Sequence, residues 1–138
     1  MARNLIWPEP FQEIGATLST GRYETTGKGQ NKVTVFVETT TFTAGDGVVV
    51  RALVLDGNSL PVQNATVNIE ITGPETTALV TGPSDADGLA ETIWNTVAPK
   101  QNGQGGTAAG SYTATTTNVS ATGYSWDGVQ TSASFILQ

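Results

Sequence analysis

Alternation of apolar and polar residues with a period of two is the feature that most constrains this chain. In ATVNIEIT (65–72), apolar residues at 65, 67, 69 and 71 alternate with polar ones. Because successive side chains of a β-strand point to opposite faces, this pattern predicts a strand with one buried face. Six more segments carry strand patterns: KVTVFVE (32–38), GVVVRALVL (47–55), TALVT (77–81), LAETIW (89–94), SYTATTTNV (111–119) and TSASFIL (131–137).

Clusters of turn-forming residues separate these segments. Gly and Asn accept positive φ angles and Pro fixes φ, so such clusters favour chain reversals. No segment of 10–15 residues shows a helical period, which excludes an alternating α/β fold. Seven short strands joined by turns predict an all-β fold, an antiparallel β-sandwich. The turn clusters are TAGDG (43–47), LDGNSLP (55–61), TGPET (72–76), SDADG (84–88), APKQNGQGGTAAG (98–110) and ATGYSWDG (121–128).

The first 31 residues show no sustained period. We predict an N-terminal extension or linker at 1–31 and a sandwich domain at 32–138. The extension has three alternative structures: a linker from a preceding domain, an extra strand along the sandwich edge through ATLSTG (16–21), or a cover for an opening in the core. Its large apolar side chains, Ile6, Trp7 and Phe11 among them, are more than a solvated linker normally carries and favour a packed extension.

Composition limits the chemistry. The chain has no cysteine and no histidine, which removes thiolate nucleophiles, cysteine zinc sites, the commonest general base and the Ser-His-Asp triad. A net charge of −6 with only six scattered basic residues disfavours nucleic-acid binding. No apolar run approaches the roughly 20 residues of a membrane helix, so no direct membrane insertion is predicted. Charged residues make up only 13 %, with abundant Thr, Ser, Asn and Gly, which is typical of exported β-proteins.

The order of short motifs from about residue 40 onwards resembles that of bacterial immunoglobulin-like domains, of the Big-type and macroglobulin-like kind, in surface and secreted proteins. The motifs are Gly45-Asp46 before a valine-rich strand, the turn Asp56-Gly57, PVQNATV (61–67), TGPSDADGLAET (81–92) and GSYTATTT (110–117).

This resemblance implies an immunoglobulin-like sandwich and a non-catalytic module of a larger exported or cell-surface bacterial protein. Such a module is a structural spacer or an adhesion and protein-interaction domain, with neighbouring domains of the parent protein as partners. Tyr112, near the start of the penultimate strand, suits a tyrosine corner, in which the ring packs in the core and the hydroxyl bonds to backbone.

The acidic turn is the first candidate site. Asp85 and Asp87 precede Gly88, and alternate acidic residues in a turn offer the oxygen ligands that calcium prefers. The spacing does not satisfy the EF-hand pattern, because a strand begins directly after Gly88. A structural calcium ion is one interpretation. The other is a hairpin turn in which the aspartates bond to their own backbone.

The aromatic loop GYSWDG is the second candidate. Tyr124 and Trp126 would offer flat rings to a carbohydrate ligand, with Asp127 accepting hydroxyl hydrogen bonds. The alternative function is therefore a carbohydrate-binding module of a secreted hydrolase. Equally, these rings would fold back over an open edge of the core. We predict no catalytic residues, because no pattern pairs the carboxylates that a glycosidase would need.

Overall fold

The computed structural model describes residues 12–138, and in this range the chain is all-β, with one short 3₁₀ turn at Gly29–Asn31 and no α-helix. The ten strands are β1 (Gln12–Thr26), β2 (Val33–Glu38), β3 (Thr41–Phe42), β4 (Gly47–Asp56), β5 (Thr66–Thr72), β6 (Thr77–Val80), β7 (Leu89–Asn95), β8 (Gly110–Ser120), β9 (Tyr124–Trp126) and β10 (Ser132–Leu137).

Each of the seven segments with a predicted strand pattern contains a strand, within one or two residues of the expected bounds. The three further strands are β1, β3 and β9. Strands β3 and β9 have two and three residues, too few for a periodic pattern to appear.

The strands form two sheets, consistent with a β-sandwich. In the first sheet the order is β2-β1-β4-β7, with β9 also paired to β1, and in the second it is β3-β10-β8-β5-β6. Neighbouring strands run antiparallel, except that β1 is parallel to β9 and β3 is parallel to β10.

The hydrophobic core lies between the two sheets. The inward face predicted for residues 65–71 is confirmed, since Ala65, Val67, Ile69 and Ile71 are all buried. Strand β4, near the middle of the first sheet, supplies four more buried aliphatic side chains, Val48, Val50, Ala52 and Val54. Tyr112 stacks on Phe135 with ring centroids 5.6 Å apart, and Trp94 meets Tyr112 edge-on at 5.0 Å.

Strand β1 lies within the predicted extension at 1–31. Of the three alternatives for this extension, the structure contains the extra strand, but the strand is not at the edge of the sandwich. It is longer than ATLSTG and lies inside the sheet rather than at its edge. Residues 14–21 pair with β4, whereas residues 21–26 pair with β2 on the opposite side. The predicted boundary at 31/32 falls in the connection between β1 and β2, so the β1–β4 pairing crosses it. The predicted cover residues Ile6, Trp7 and Phe11 lie outside the described residues.

The sandwich has two distinct ends. At the first, here called the Asp85 end, lie the start of β1 and the turns 56–61 and 84–88. At the second, the arm end, lie the turn 43–47 and the long loop 96–109. There β1 continues past its last pair with β4, Gly21 with Val49, and forms with β2 a hairpin over residues 22–38, here called the arm.

Candidate functional site

The acidic turn lies in the connection from β6 of the second sheet to β7 of the first, so it does not join two paired strands of a hairpin as expected, but Asp85 does bond to its own backbone. Its Oδ1 accepts hydrogen bonds from the backbone N–H of Asp87 (2.9 Å) and of Leu89 (3.0 Å). Gly88 supplies a positive φ of 80° and donates its N–H to the Asp85 carbonyl at 2.9 Å. The Asp85 carboxylate is therefore the acceptor that shapes the turn.

A second turn beside it has the same construction. Asp56 Oδ1 accepts from the N–H of Asn58 (2.8 Å) and of Leu60 (3.0 Å), and Ser59 takes the positive φ, at 63°. DGNSL and DADGL thus share an Asp at the first position, a positive φ at the fourth and a Leu at the fifth. The shared geometry accounts for both aspartates by local backbone bonding.

Within residues 12–138 no group of three or more acidic side chains is arranged to hold a metal ion. The structure thus places Asp85 and Asp87 in one turn without adding a third carboxylate to them. Calcium binding at this turn stays a prediction.

The aromatic pair Tyr124 and Trp126 lies in β9, which runs beside the start of β1. Tyr124 pairs with Gln12, and Trp126 pairs with Ile14. Both side chains are half-buried and pack against the hydrophobic core. The residues predicted to contact a carbohydrate are thus part of a strand that covers the sheet edge, and each offers only part of its ring to solvent.

Asp127 follows β9 and closes another local turn. Its backbone N–H donates to the Ile14 carbonyl at 2.9 Å, and its Oδ1 accepts from the Val129 N–H at 2.9 Å. Its carboxylate also lies over Gly15, where a Cβ atom would meet it. The carboxylate of Asp127 therefore helps to hold the β9 segment against β1.

A group of interacting charged and aromatic side chains lies on the outer face of the first sheet. We call it the brace, and it consists of Tyr23, Phe36, Arg51 and Glu91. Arg51 forms an ion pair with Glu91, with Nη2 2.7 Å and Nε 2.8 Å from Oε2. The Tyr23 hydroxyl donates to the same carboxylate and accepts from Arg51 Nη2 at 3.3 Å.

Aromatic contacts complete the brace. The Arg51 guanidinium lies 4.0 Å from the centroid of the Phe36 ring, a cation–π arrangement. Tyr23 and Phe36 are cross-strand partners and meet edge-on at 5.8 Å. The brace therefore joins the two strands of the arm to β4 and β7, and it fixes the direction in which the arm leaves the sandwich.

Contacts within the brace raise the pKa values of two of its members, Tyr23 and Arg51. The hydrogen bond to Glu91, followed by burial, raises the pKa of the Tyr23 phenol above its ordinary value. Burial lowers the pKa of Arg51, but the hydrogen bonds with Tyr23 and Glu91 outweigh it and the pKa is raised overall. A protonated phenol and a charged guanidinium thus face one carboxylate, which suits a structural contact.

Two shallow depressions flank Tyr23 on this face. One, of about 390 Å³, is lined by residues that include Tyr23, Pro83, Asp85 and Glu91. The other, of about 340 Å³, lies towards Asp46 and Asn95. Both are open to solvent, and the arm forms one wall of each.

The brace was not among the sites predicted from the sequence. Its members are spread over 69 residues, and each reads alone as an outward residue on a regular strand. The one available signal was the interruption of the apolar strand GVVVRALVL by Arg51, because a charge in a central strand requires a partner.

Comparison with known proteins finds no matching family model and no matching curated protein. Among residues 12–138 no helix has the length and apolarity to cross a bilayer.

Proposed function

We propose that this chain is an immunoglobulin-like, non-catalytic module of a larger exported or cell-surface bacterial protein. It acts as a load-bearing spacer that also presents the arm for protein interaction. The observation that carries the proposal is that β1 starts at the Asp85 end and β10 finishes at the arm end, so the two ends of the described chain lie at opposite ends of the sandwich.

Strand neighbours support the immunoglobulin-like part of the proposal. In such sandwiches strands B and E share one sheet, and C, F and G share the other. In this protein β4 and β7 take the places of B and E, because they are neighbours in the first sheet. Strands β5, β8 and β10 take the places of C, F and G, because they are consecutive neighbours in the second sheet. Tyr112 adds a second feature, because its hydroxyl donates at 2.6 Å to the carbonyl of Ala108, four residues upstream, as in a tyrosine corner.

The terminal strands support the load-bearing part. Force applied between residues 12 and 138 pulls β1 along β4 and pulls β10 along β8 and β3. Parallel pairing adds to this resistance, since Ile136 donates to Thr40 and Gln138 donates to Phe42, both at 2.8 Å. Loading along the strands strains many backbone hydrogen bonds at once, whereas peeling breaks them one after another.

Single-molecule pulling tests this proposal. The chain has no cysteine of its own, so introduced pairs define the attachment points. The variant Gln12→Cys/Gln138→Cys loads the strands along their length. The matched variant Asn58→Cys/Ala86→Cys places both attachments in exposed neighbouring turns of the Asp85 end and peels the strands apart.

We expect a clearly higher unfolding force for the Gln12/Gln138 pair at the same loading rate, with one cooperative event. Equal forces for the two geometries, or a lower force for Gln12/Gln138, would contradict a load-bearing spacer.

A carbohydrate-binding module has less support, because Tyr124 and Trp126 pack against the core.

A further inference from the structure

Strand β2 has an open edge. In the described part of the chain its only strand partner is β1, and it ends the order of the first sheet. The arm is exposed continuously from Tyr23 to Val35. Two valines on one face of β2 are well exposed, Val33 at 55 % and Val35 at 43 %. An open edge with exposed β-branched side chains is a template for pairing with another strand.

The backbone pattern shows which groups this edge offers. The Thr39 N–H donates to the Thr20 carbonyl at 3.0 Å, and these residues continue the β1–β2 register by one pair. Hydrogen-bonded and non-hydrogen-bonded pairs alternate along antiparallel strands. The N–H and C=O groups of Val33, Val35 and Val37 therefore point to β1, whereas those of Thr34 and Phe36 point outward.

The sequence of this edge is complementary to itself. KVTVFVE reads as a charge-reversed near-palindrome centred on Val35, with Lys32 at one end and Glu38 at the other. In an antiparallel pair of two such strands centred on Val35, Lys32 faces Glu38 of the other strand, and Val33 faces Val37. The outward-pointing groups of Thr34 and Phe36 then meet each other, as the hydrogen-bonded positions of this register require.

We propose, building on the protein-interaction role proposed above, that β2 pairs antiparallel with β2 of a second copy of this chain, about a twofold axis at Val35. The two arms form a four-stranded sheet in the order β1-β2-β2-β1. The arrangement is isologous, since the same surface is used by both copies. The sandwiches lie at opposite ends of the paired strands, because each arm points towards the other sandwich.

Charge complementarity favours a second copy of this chain as the partner of β2, and it favours the register centred on Val35. Opposite charges in cross-strand pairs are favourable and like charges directly opposite each other are unfavourable. The antiparallel register forms two Lys32–Glu38 pairs, whereas a parallel pairing in register would set Lys32 against Lys32. It also places the valines in non-hydrogen-bonded pairs, where side chains approach most closely. One strand edge on each side is a small interface, so we expect a transient dimer with a Kd of about 10–100 µM.

Disulfide trapping tests the twofold axis with a matched control. Across a non-hydrogen-bonded pair the Cα atoms are about 4.5 Å apart, within the range for a disulfide. Val35→Cys should therefore give a disulfide-linked dimer under mild oxidation. In Val33→Cys the two cysteines would lie four residues out of register, about 14 Å apart. This thiol, at the more exposed of the two positions, should form at least about tenfold less dimer.

Charge reversal tests the register in solution by sedimentation equilibrium. Lys32→Glu should weaken dimerisation at least about tenfold, since it creates two like-charge pairs. Lys32→Glu/Glu38→Lys should restore the Kd to within about threefold of the original. Unchanged melting temperatures verify that each variant is folded.

A monomer at all concentrations, equal trapping of Val33→Cys and Val35→Cys, or no rescue by the double reversal would overturn the proposal. If trapping fails while the pulling forces differ as expected, the spacer function stands and self-pairing falls. If trapping succeeds and the two pulling forces are equal, self-pairing of β2 is supported and the spacer function is rejected.

Discussion

Replacing Tyr112 with alanine is expected to lower the free energy of unfolding by about 3–5 kcal/mol, as removal of a large buried aromatic side chain usually does. Tyr112 is only 1 % exposed. Its ring stacks on Phe135 and meets Trp94 edge-on, so its removal leaves a cavity where three aromatic rings join the two sheets. Urea unfolding followed by tryptophan fluorescence measures the change.

Tyr112→Phe is the matched control. It keeps the ring and removes only the hydroxyl that donates to the Ala108 carbonyl. Ala108 lies on the surface, where water can replace the lost donor, so we expect a cost of about 0.5–1.5 kcal/mol. Equal costs for alanine and phenylalanine would contradict this account, because they would assign the whole effect to the hydroxyl.

Gly88→Ala should produce the second large effect, a loss of about 2–4 kcal/mol. Two costs combine at this position. The φ of 80° is unfavourable for any residue with a Cβ atom, by about 1–2 kcal/mol. An added Cβ would also lie 2.6 Å from the Val54 carbonyl oxygen, in the turn that holds Asp85. Relieving that contact requires movement of β4, the best-buried strand.

Gly123→Ala separates the two costs. Its φ is 87°, but no atom lies within 4 Å of the added Cβ. We expect it to lose only the conformational part, about 1–2 kcal/mol. Thermal unfolding of both variants gives the comparison, and a loss for Gly88→Ala no larger than that for Gly123→Ala would show that the close approach to Val54 has no energetic weight.

The seven segments with strand patterns could be predicted from local apolar patterns, which coincide with burial in β4, β5 and β8 but not in β2 and β6, where no residue is buried. Ala65, Val67, Ile69 and Ile71 show this most clearly, since alternation and burial coincide at every position. Strand β1 was harder to place. Its four buried residues, Ile14, Ala16, Thr20 and Gly21, include only one large aliphatic side chain, and its last four residues are exposed on both faces. Its place inside the sheet depends on pairing with β4, whose partner residues lie 28 to 42 positions further along the chain.

The site residues show the same division between local and long-range information. The bonding of Asp85 to its own turn was one of two alternatives that local sequence allowed, and the geometry is of that kind. The brace could not be predicted from local sequence, because Tyr23 and Glu91 come together only through the register of β1, β4 and β7. The near-palindrome around Val35 was visible in the sequence, but its meaning required knowledge that β2 has an open edge.

In the described residues β1 begins at the Asp85 end of the sandwich and β10 finishes at the arm end. A distance measurement between spin labels on Gln12→Cys/Gln138→Cys tests this most directly. Strand β4 spans ten residues between the two ends, so we predict a single distance near 30 Å or longer. Labels on Gln12→Cys/Ala86→Cys, both at the Asp85 end, should lie closer, below about 20 Å. A Gln12–Gln138 distance below about 20 Å would place both ends on one side and contradict the spacer.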